Sequence, residues 1–177
     1  PDVFSGTWNG GWDFWDLRWA EPGNPQVFDL QPAVPTHGSP GDAATFFVNT
    51  FNFSGSKASI WKLTGDRGNG PSLVTSSANV AAYADPGVAR QPAPGADDIE
   101  MFYAGSQNVA YSQRNVYLAL NDAGTGQSGF YISKIDVDSL VEQRNITYYT
   151  GDTYYYYPNV ILFGSDSFNP LVGVAMA

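Results

Sequence analysis

The chain closes on two apolar runs rich in β-branched and aromatic residues. Tyr154-Tyr155-Tyr156-Tyr157-Pro158-Asn159-Val160-Ile161-Leu162-Phe163 is followed by a Gly164-Ser165-Asp166 turn and then by Leu171-Val172-Gly173-Val174-Ala175-Met176-Ala177. Residues of these types fit a pleated, half-buried surface, so the pair reads as strand, loop, strand. The same grammar recurs upstream. No window longer than about ten residues keeps the i, i+3, i+4, i+7 spacing of an amphipathic helix without a Gly or Pro interrupting it. The 19 Gly and 12 Pro are what many short strands need for their turns. The sequence therefore predicts an all-β chain.

The expected strands are 44–50, 58–63, 72–80, 108–112, 116–121, 129–137, 143–149 and the closing pair. Ala58-Ser59-Ile60-Trp61-Lys62-Leu63 alternates small or polar residues with large apolar ones, as a half-buried strand does. The polar connection Gln113-Arg114-Asn115 reads as a hairpin, and Asn121-Asp122-Ala123-Gly124-Thr125-Gly126 reads as a polar turn. That second segment also matches part of a Ca²⁺-binding loop, but it lacks the terminal Glu of an EF-hand.

Aligned by type, these strands fall into units. Phe46-Phe47-Val48, Tyr117-Leu118-Ala119-Leu120 and Val172-Gly173-Val174-Ala175 each follow a turn and read as buried strands. Ser59-Ile60-Trp61-Lys62-Leu63-Thr64 and Tyr131-Ile132-Ser133-Lys134-Ile135-Asp136 follow the first two, and a more polar strand follows each of these. The unit has four strands and a period of roughly 55–70 residues, longer than the ~40–50 of the commonest blade repeats. Repeated four-stranded antiparallel units describe blades of a β-propeller. A two-sheet β-sandwich is the alternative. The expected division is the end of a preceding blade at 1–26, a blade at 27–80, a connecting loop at 81–104, a blade at 105–149 and a half blade at 150–177. Propellers close with about four to eight blades, so other blades, from a longer parent chain or from other chains, are the expected partners. The chain begins with Pro1 rather than Met and carries no signal-peptide pattern, and it reads as processed or as an internal fragment.

Several of these segments resemble one group of proteins. Phe28-Asp29-Leu30-Gln31-Pro32-Ala33 followed by Phe46-Phe47-Val48-Asn49-Thr50-Phe51 is similar to the strand openings of secreted bacterial β-propellers of largely uncharacterised function. The loop Tyr83-Ala84-Asp85-Pro86-Gly87-Val88-Ala89-Arg90-Gln91-Pro92 before Asp97-Asp98 looks like the lead into the next blade in that group. Asn115-Val116-Tyr117-Leu118-Ala119-Leu120 and Tyr155-Tyr156-Tyr157-Pro158-Asn159-Val160 match its strand openings. The resemblance covers most of 27–177 and is a pattern of blades rather than a catalytic signature. It implies an extracellular or cell-surface location and no particular reaction.

Charge narrows the partners. A formal net charge of −9 leaves no Lys/Arg stripe for a phosphate backbone, so nucleic acid is not expected. No run approaches the ~20 apolar residues of a membrane span, so membrane insertion is not expected. With no Cys there are no disulfides, thiolate metal sites or cysteine catalysis. His37 is the single His, in a Pro/Gly loop with no nucleophile elbow, so a Ser-His-Asp triad is not expected. Phosphate-binding and dinucleotide fingerprints are absent from the sequence.

Three groups remain as candidate sites. Trp8, Trp12 and Trp15 lie close together with Asp13 and Asp16 between them, and exposed aromatics beside carboxylates can hold a glycan. The competing reading is that these rings fill the wedge between blades. In an extended Tyr154–Tyr157 run alternate rings face opposite sides, which places Tyr154 and Tyr156 together as a ligand or subunit contact. Asp97, Asp98 and Glu100 form the densest acidic cluster; clustered oxygens are the ligands Ca²⁺ takes, and paired carboxylates can hydrolyse glycosides. No catalytic residue is assigned and no cofactor other than Ca²⁺ is indicated. Asn52-Phe53-Ser54 and Asn145-Ile146-Thr147 satisfy the N-glycosylation pattern, which arises often by chance. The reading that follows is a binding or scaffold module rather than an enzyme. Its alternatives are a carbohydrate-active propeller using the acidic cluster with Arg90 or Arg114, and a subunit of an extracellular polymer.

Overall fold

The computed structural model describes residues 2–7, 11–17, 29–35, 44–50, 54–65, 70–91, 93–101, 104–123, 127–151, 153–162 and 170–176, with the backbone alone for 2–7, 11–16 and 170–176. Trp8, Trp19, His37 and Asn52 lie outside them. All the regular structure described is β.

β1 (Asp2–Thr7) and β2 (Gly11–Asp16) form an antiparallel pair. β3 (Gln31–Pro35), β4 (Ala44–Thr50), β5 (Gly55–Thr64) and β6 (Ser72–Tyr83) form a four-stranded meander. A two-residue pair, β7 (Val88–Ala89) and β8 (Ile99–Glu100), lies in the connection. A second meander follows: β9 (Ser106–Ser112), β10 (Asn115–Ala123), β11 (Ser128–Asp136) and β12 (Glu142–Tyr148). β13 (Tyr155–Leu162) and β14 (Pro170–Met176) make a final antiparallel pair.

The two meanders are one sheet. β3 pairs with β4 at Gln31↔Val48 and Pro32↔Phe47, then switches partner and runs parallel to β9 at Ala33↔Val109, Val34↔Ala110 and Pro35↔Tyr111. Proline has no N–H for a ladder, so a central strand with Pro32 and Pro35 is unexpected. Here each half of β3 is paired on one side, and half the ladder donors suffice. The sheet order is β12-β11-β10-β9-β3-β4-β5-β6. The sheet curls until its outer strands meet: Asn79 and Val141 form a parallel bridge, and the Ala81 N–H donates to Glu142 Oε2 at 3.0 Å. A curled all-β sheet of two four-stranded antiparallel meanders is compatible with a propeller fragment and with a sandwich.

Curling encloses the main core, which includes Phe46, Val48, Ile60, Ala78, Val109, Tyr111, Leu118, Leu120, Tyr131 and Ile135. The alternation within each strand sends the other residues outward, and those faces are covered too. Outside the first meander, Trp61 packs with Leu17, Leu30, Phe47 and Leu73. Its indole N–H donates to Asn49 Oδ1 at 2.6 Å, which satisfies both buried groups. Outside the second meander, Ala110, Tyr117, Ala119 and Ile132 meet Val160 and Leu162 of β13. β13 is not in a ladder with the second meander; side-chain amides hold it. The Tyr157 N–H donates to Asn121 Oδ1 at 2.9 Å, and the Val160 N–H to Asn108 Oδ1 at 3.0 Å.

Of the polar segment 121–126, residues 121–123 are strand, and 124–126 lie outside the described residues. Asn121 and Asp122 belong to β10 and are buried. Asp122 accepts the Ala84 N–H at 2.8 Å and the Tyr149 hydroxyl at 2.7 Å. The Tyr149 ring crosses Gly129 so closely that a Cβ there would sit 2.2 Å from Cδ1, which is why glycine is required. At the seam, Glu142 accepts four donors: the Ala81 N–H, Asn145 Nδ2 at 3.0 Å, Ser133 Oγ at 2.5 Å and the Tyr131 hydroxyl.

Two predictions test this seam. Glu142→Ala strands the buried hydroxyls of Tyr131 and Ser133 and the Ala81 N–H, and its expected cost in urea unfolding is about 2–4 kcal/mol. Burial, then the Asp122 bond, pushes the Tyr149 phenol up to about 12. Burial, then the Glu142 bond, holds the Tyr131 phenol well above the usual tyrosine range. Both raised values favour the neutral phenol in the folded state. Their contribution is complete below pH 10, the ordinary tyrosine value, and is lost as pH rises toward 12. Urea midpoints measured across that window are expected to fall, and to fall less in Tyr149→Phe.

Candidate functional site

Where one end of the curled sheet opens, Ala44, Phe46, Lys62, Thr64, Tyr111, Arg114 and Val137 line a cleft of about 160 Å³. Pairing builds it. Phe46 and Lys62 are directly opposite across β4 and β5, which sets the Lys62 ammonium 5.9 Å from the centre of the Phe46 ring, within cation–π range. Tyr111 comes from β9 and stacks on Phe46, with ring centres 5.0 Å apart and planes inclined by 26°. The aromatic pair thus bridges the two meanders across the core.

Arg114 reaches the cleft from the two-residue turn between β9 and β10. Gln113 and Arg114 both have positive φ, at 48° and 62°. That is the geometry of a type I′ hairpin, which favours Asn-Gly because side chains crowd the backbone there. Local bonds hold the turn in place: Asn115 Nδ2 donates to the Gln113 carbonyl at 2.8 Å, and the Val137 N–H to the Arg114 carbonyl at 2.9 Å. Arg114 Nε is ion-paired with Asp138. Asp138 lies in the next turn, which Asp136 organises by accepting the N–H groups of Asp138 and Ser139 at 3.0 and 2.8 Å. The Ser139 N–H leads the contacts that hold the Asp136 carboxyl below its ordinary value. An exposed ion pair thus links the two neighbouring turns.

The residues singled out from sequence lie elsewhere. Trp12 and Trp15 are on β2, opposite Gly6 and Val3, and Trp8 is outside the described residues. Tyr154 and Tyr156 are half-buried beside and within β13. Tyr156 meets the Tyr157 ring edge to face at 5.7 Å. Tyr157 is a bulge, with φ 50° and a register shift between Tyr156 and Asn159, so strict alternation stops inside the tyrosine run. The Tyr157 hydroxyl donates to the Glu100 carbonyl at 3.1 Å. Tyr155 is the buried ring of the run, packed edge-on to Phe130 and Tyr148 at 5.9 and 5.3 Å. Asp97, Asp98 and Glu100 are exposed on the connection between the meanders. Among the described residues no group of three or more His, Cys, Asp or Glu is placed to hold a metal ion. No helix among them is long and apolar enough to cross a membrane.

Sequence reading passed over Lys62, Phe46 and Tyr111 as site residues. The signal that could have found Lys62 is its position: it is a charge in an apolar strand, directly after Trp61. Chemically, the cleft is lined by the Lys62 ammonium, the Thr64 hydroxyl and an Arg114 paired with Asp138, above two buried rings stacked on each other.

No protein-family model, curated protein or solved structure matches this chain. The reading of function therefore rests on its own geometry.

If the left-handed turn is strained as its residue types imply, Gln113→Asn is expected to raise stability by up to about 1 kcal/mol, measured by thermal and urea unfolding. Gly129→Ala is expected to cost about 3 kcal/mol or more in urea unfolding, because the new Cβ would sit 2.3 Å from the Tyr148 carbonyl oxygen as well as against the Tyr149 ring, so backbone must move.

Proposed function

We propose that this chain is a non-catalytic binding and scaffold module of β-propeller type, acting outside the cell or at its surface, with further blades as its structural partners. The observation that carries the reading is the stacking of β13, with β14 paired to it, on the outer face of the second meander. Layer lies on layer, and side chains rather than a continuous ladder tie them together. A module that grows by stacking can take another layer on its free face. β13 turns Ile161 outward with 55% of its surface exposed, an apolar residue of the kind a further layer would cover. The exposed placement of Asp97, Asp98 and Glu100 favours binding over glycoside hydrolysis, which needs two carboxyl groups facing each other across a bound sugar.

Light scattering on the purified chain tests the reading. Self-association through the open face, weakened by Ile161→Lys, is the expected result. A monodisperse 19.1 kDa monomer whose size is unaffected by Ile161→Lys would return the sandwich as the better description.

A further inference from the structure

We infer that β14 and β1 are the two sides of an interface between copies of this chain. The open edge of β14 takes β1 of a second copy, so that β13 and β14 of one copy and β1 and β2 of the other form one four-stranded antiparallel unit. The inference names the partner for the module proposed above and rests on that reading.

Strand number is the first observation. Each meander has four strands, whereas β1 with β2 and β13 with β14 are separate two-stranded sheets. A lone two-stranded hairpin is marginal in water, and a third strand or a packed face is needed to hold it. β13 has its packed face against the second meander. β14 pairs with β13 and, among the described residues, with no other strand.

Residue type is the second. Pro170-Leu171-Val172-Gly173-Val174-Ala175-Met176 carries no charge, and a continuous apolar run is how an inner strand reads. Its counterparts by type, β4 and β10, are inner strands paired on both sides. The strand that closes the second meander, β12, instead holds Glu142, Gln143, Arg144 and Asn145, as edge strands do. β14 therefore has the residues of an inner strand and the pairing of an edge strand.

Geometry selects the edge and the strand that fits it. On β13 the N–H groups of Tyr157 and Val160 are already taken by Asn121 and Asn108, which leaves β14 as the side that can grow. β1 has six residues against the seven of β14, and its one ladder partner among the described residues is β2. Laid antiparallel to β14, β1 continues the up-and-down order of the meanders. β1 and β2 then take the third and fourth places, which β5 with β6 and β11 with β12 hold in the meanders. Asp2, Asp13 and Asp16 fall on these two outer strands, where charge is tolerated.

Within one chain the two hairpins attach to different meanders. Leu17, next after β2, packs with Trp61 outside the first, while β13 lies on the second. A second copy related by a two-fold axis supplies β1 to β14 and receives β1 on its own β14, a self-complementary and closed arrangement. Two copies then hold four meanders and two composite units, six in all. That number falls within the about four to eight units with which propellers close.

Light scattering and hydrogen exchange read by mass spectrometry, on the full chain at low and high concentration, test the pairing. The expected result is a particle of twice 19.1 kDa at high concentration, with exchange slowed about tenfold or more in both 2–7 and 170–176 as it forms. A chain that stays monomeric at every concentration overturns the inference. An assembly that leaves the exchange of either segment unchanged does the same. Slowed exchange of both segments in a monomer puts β1 against β14 of its own chain and overturns the second copy. Phe4→Pro and Ser5→Pro are made separately, because neighbouring N–H groups of a strand point to opposite edges and one of the two lies on the open edge of β1. That variant is expected to leave a folded monomer, and a dimer that survives both substitutions overturns the pairing. Association that Ile161→Lys abolishes, with no protection gained at 2–7 and 170–176 in the parent chain, upholds the module reading and sinks this one. A dimer protected at both segments and indifferent to Ile161→Lys upholds the pairing and counts against the open face.

Discussion

The parallel contact of β3 with β9 is the constraint on which the rest depends. Three residue pairs, from Ala33↔Val109 to Pro35↔Tyr111, turn two separate meanders into one sheet. Both meanders then start from a common line and present the same side to each other. Their apolar faces close over one core, their outer strands meet at Asn79 and Val141, and the carboxylate of Glu142 spans the seam. Without that parallel step each meander would be a four-stranded sheet with two faces to cover and two edges to protect.

Polar side chains act as the joints between layers. Apolar contacts are strong but undirected, so they cover a face without fixing how the next layer sits on it. Asn108 and Asn121 accept backbone N–H groups from β13, Asp122 accepts one from Ala84, and Glu142 accepts one from Ala81. An unpartnered N–H or carboxylate is costly when buried, so a slipped layer would lose several bonds at once. These residues therefore set the register of the stack more than they add to its stability.

The cleft is a product of the same architecture. Phe46 and Lys62 come from the first meander, Tyr111 and Arg114 from the second, and Val137 from the chain just beyond β11. It lies at the end of the β3–β9 contact, where Tyr111 pairs with Pro35.

Much of the strand content was legible in the residues. Ala58 to Leu63 reads as a half-buried strand from its mix of small or polar and large apolar residues, a pattern that depends only on which neighbours share a face. β3 was not legible as a central strand, because two prolines argue against a ladder and only its change of partner makes them harmless. Asn121 and Asp122 read as a turn because their polarity is what turns favour. Their bonds to Met101, Tyr157, Ala84 and Tyr149 exist only once the layers have assembled. By itself, then, the sequence determined the all-β class and the acidic composition, since these follow from local pattern and residue counts. Tertiary structure alone decided that the units join through β3 and β9, that β13 stacks rather than pairs, and that Lys62 and Arg114 share a cleft. Contacts between residues so far apart along the chain depend on the pairing of strands, and a single sequence carries no record of which strands pair.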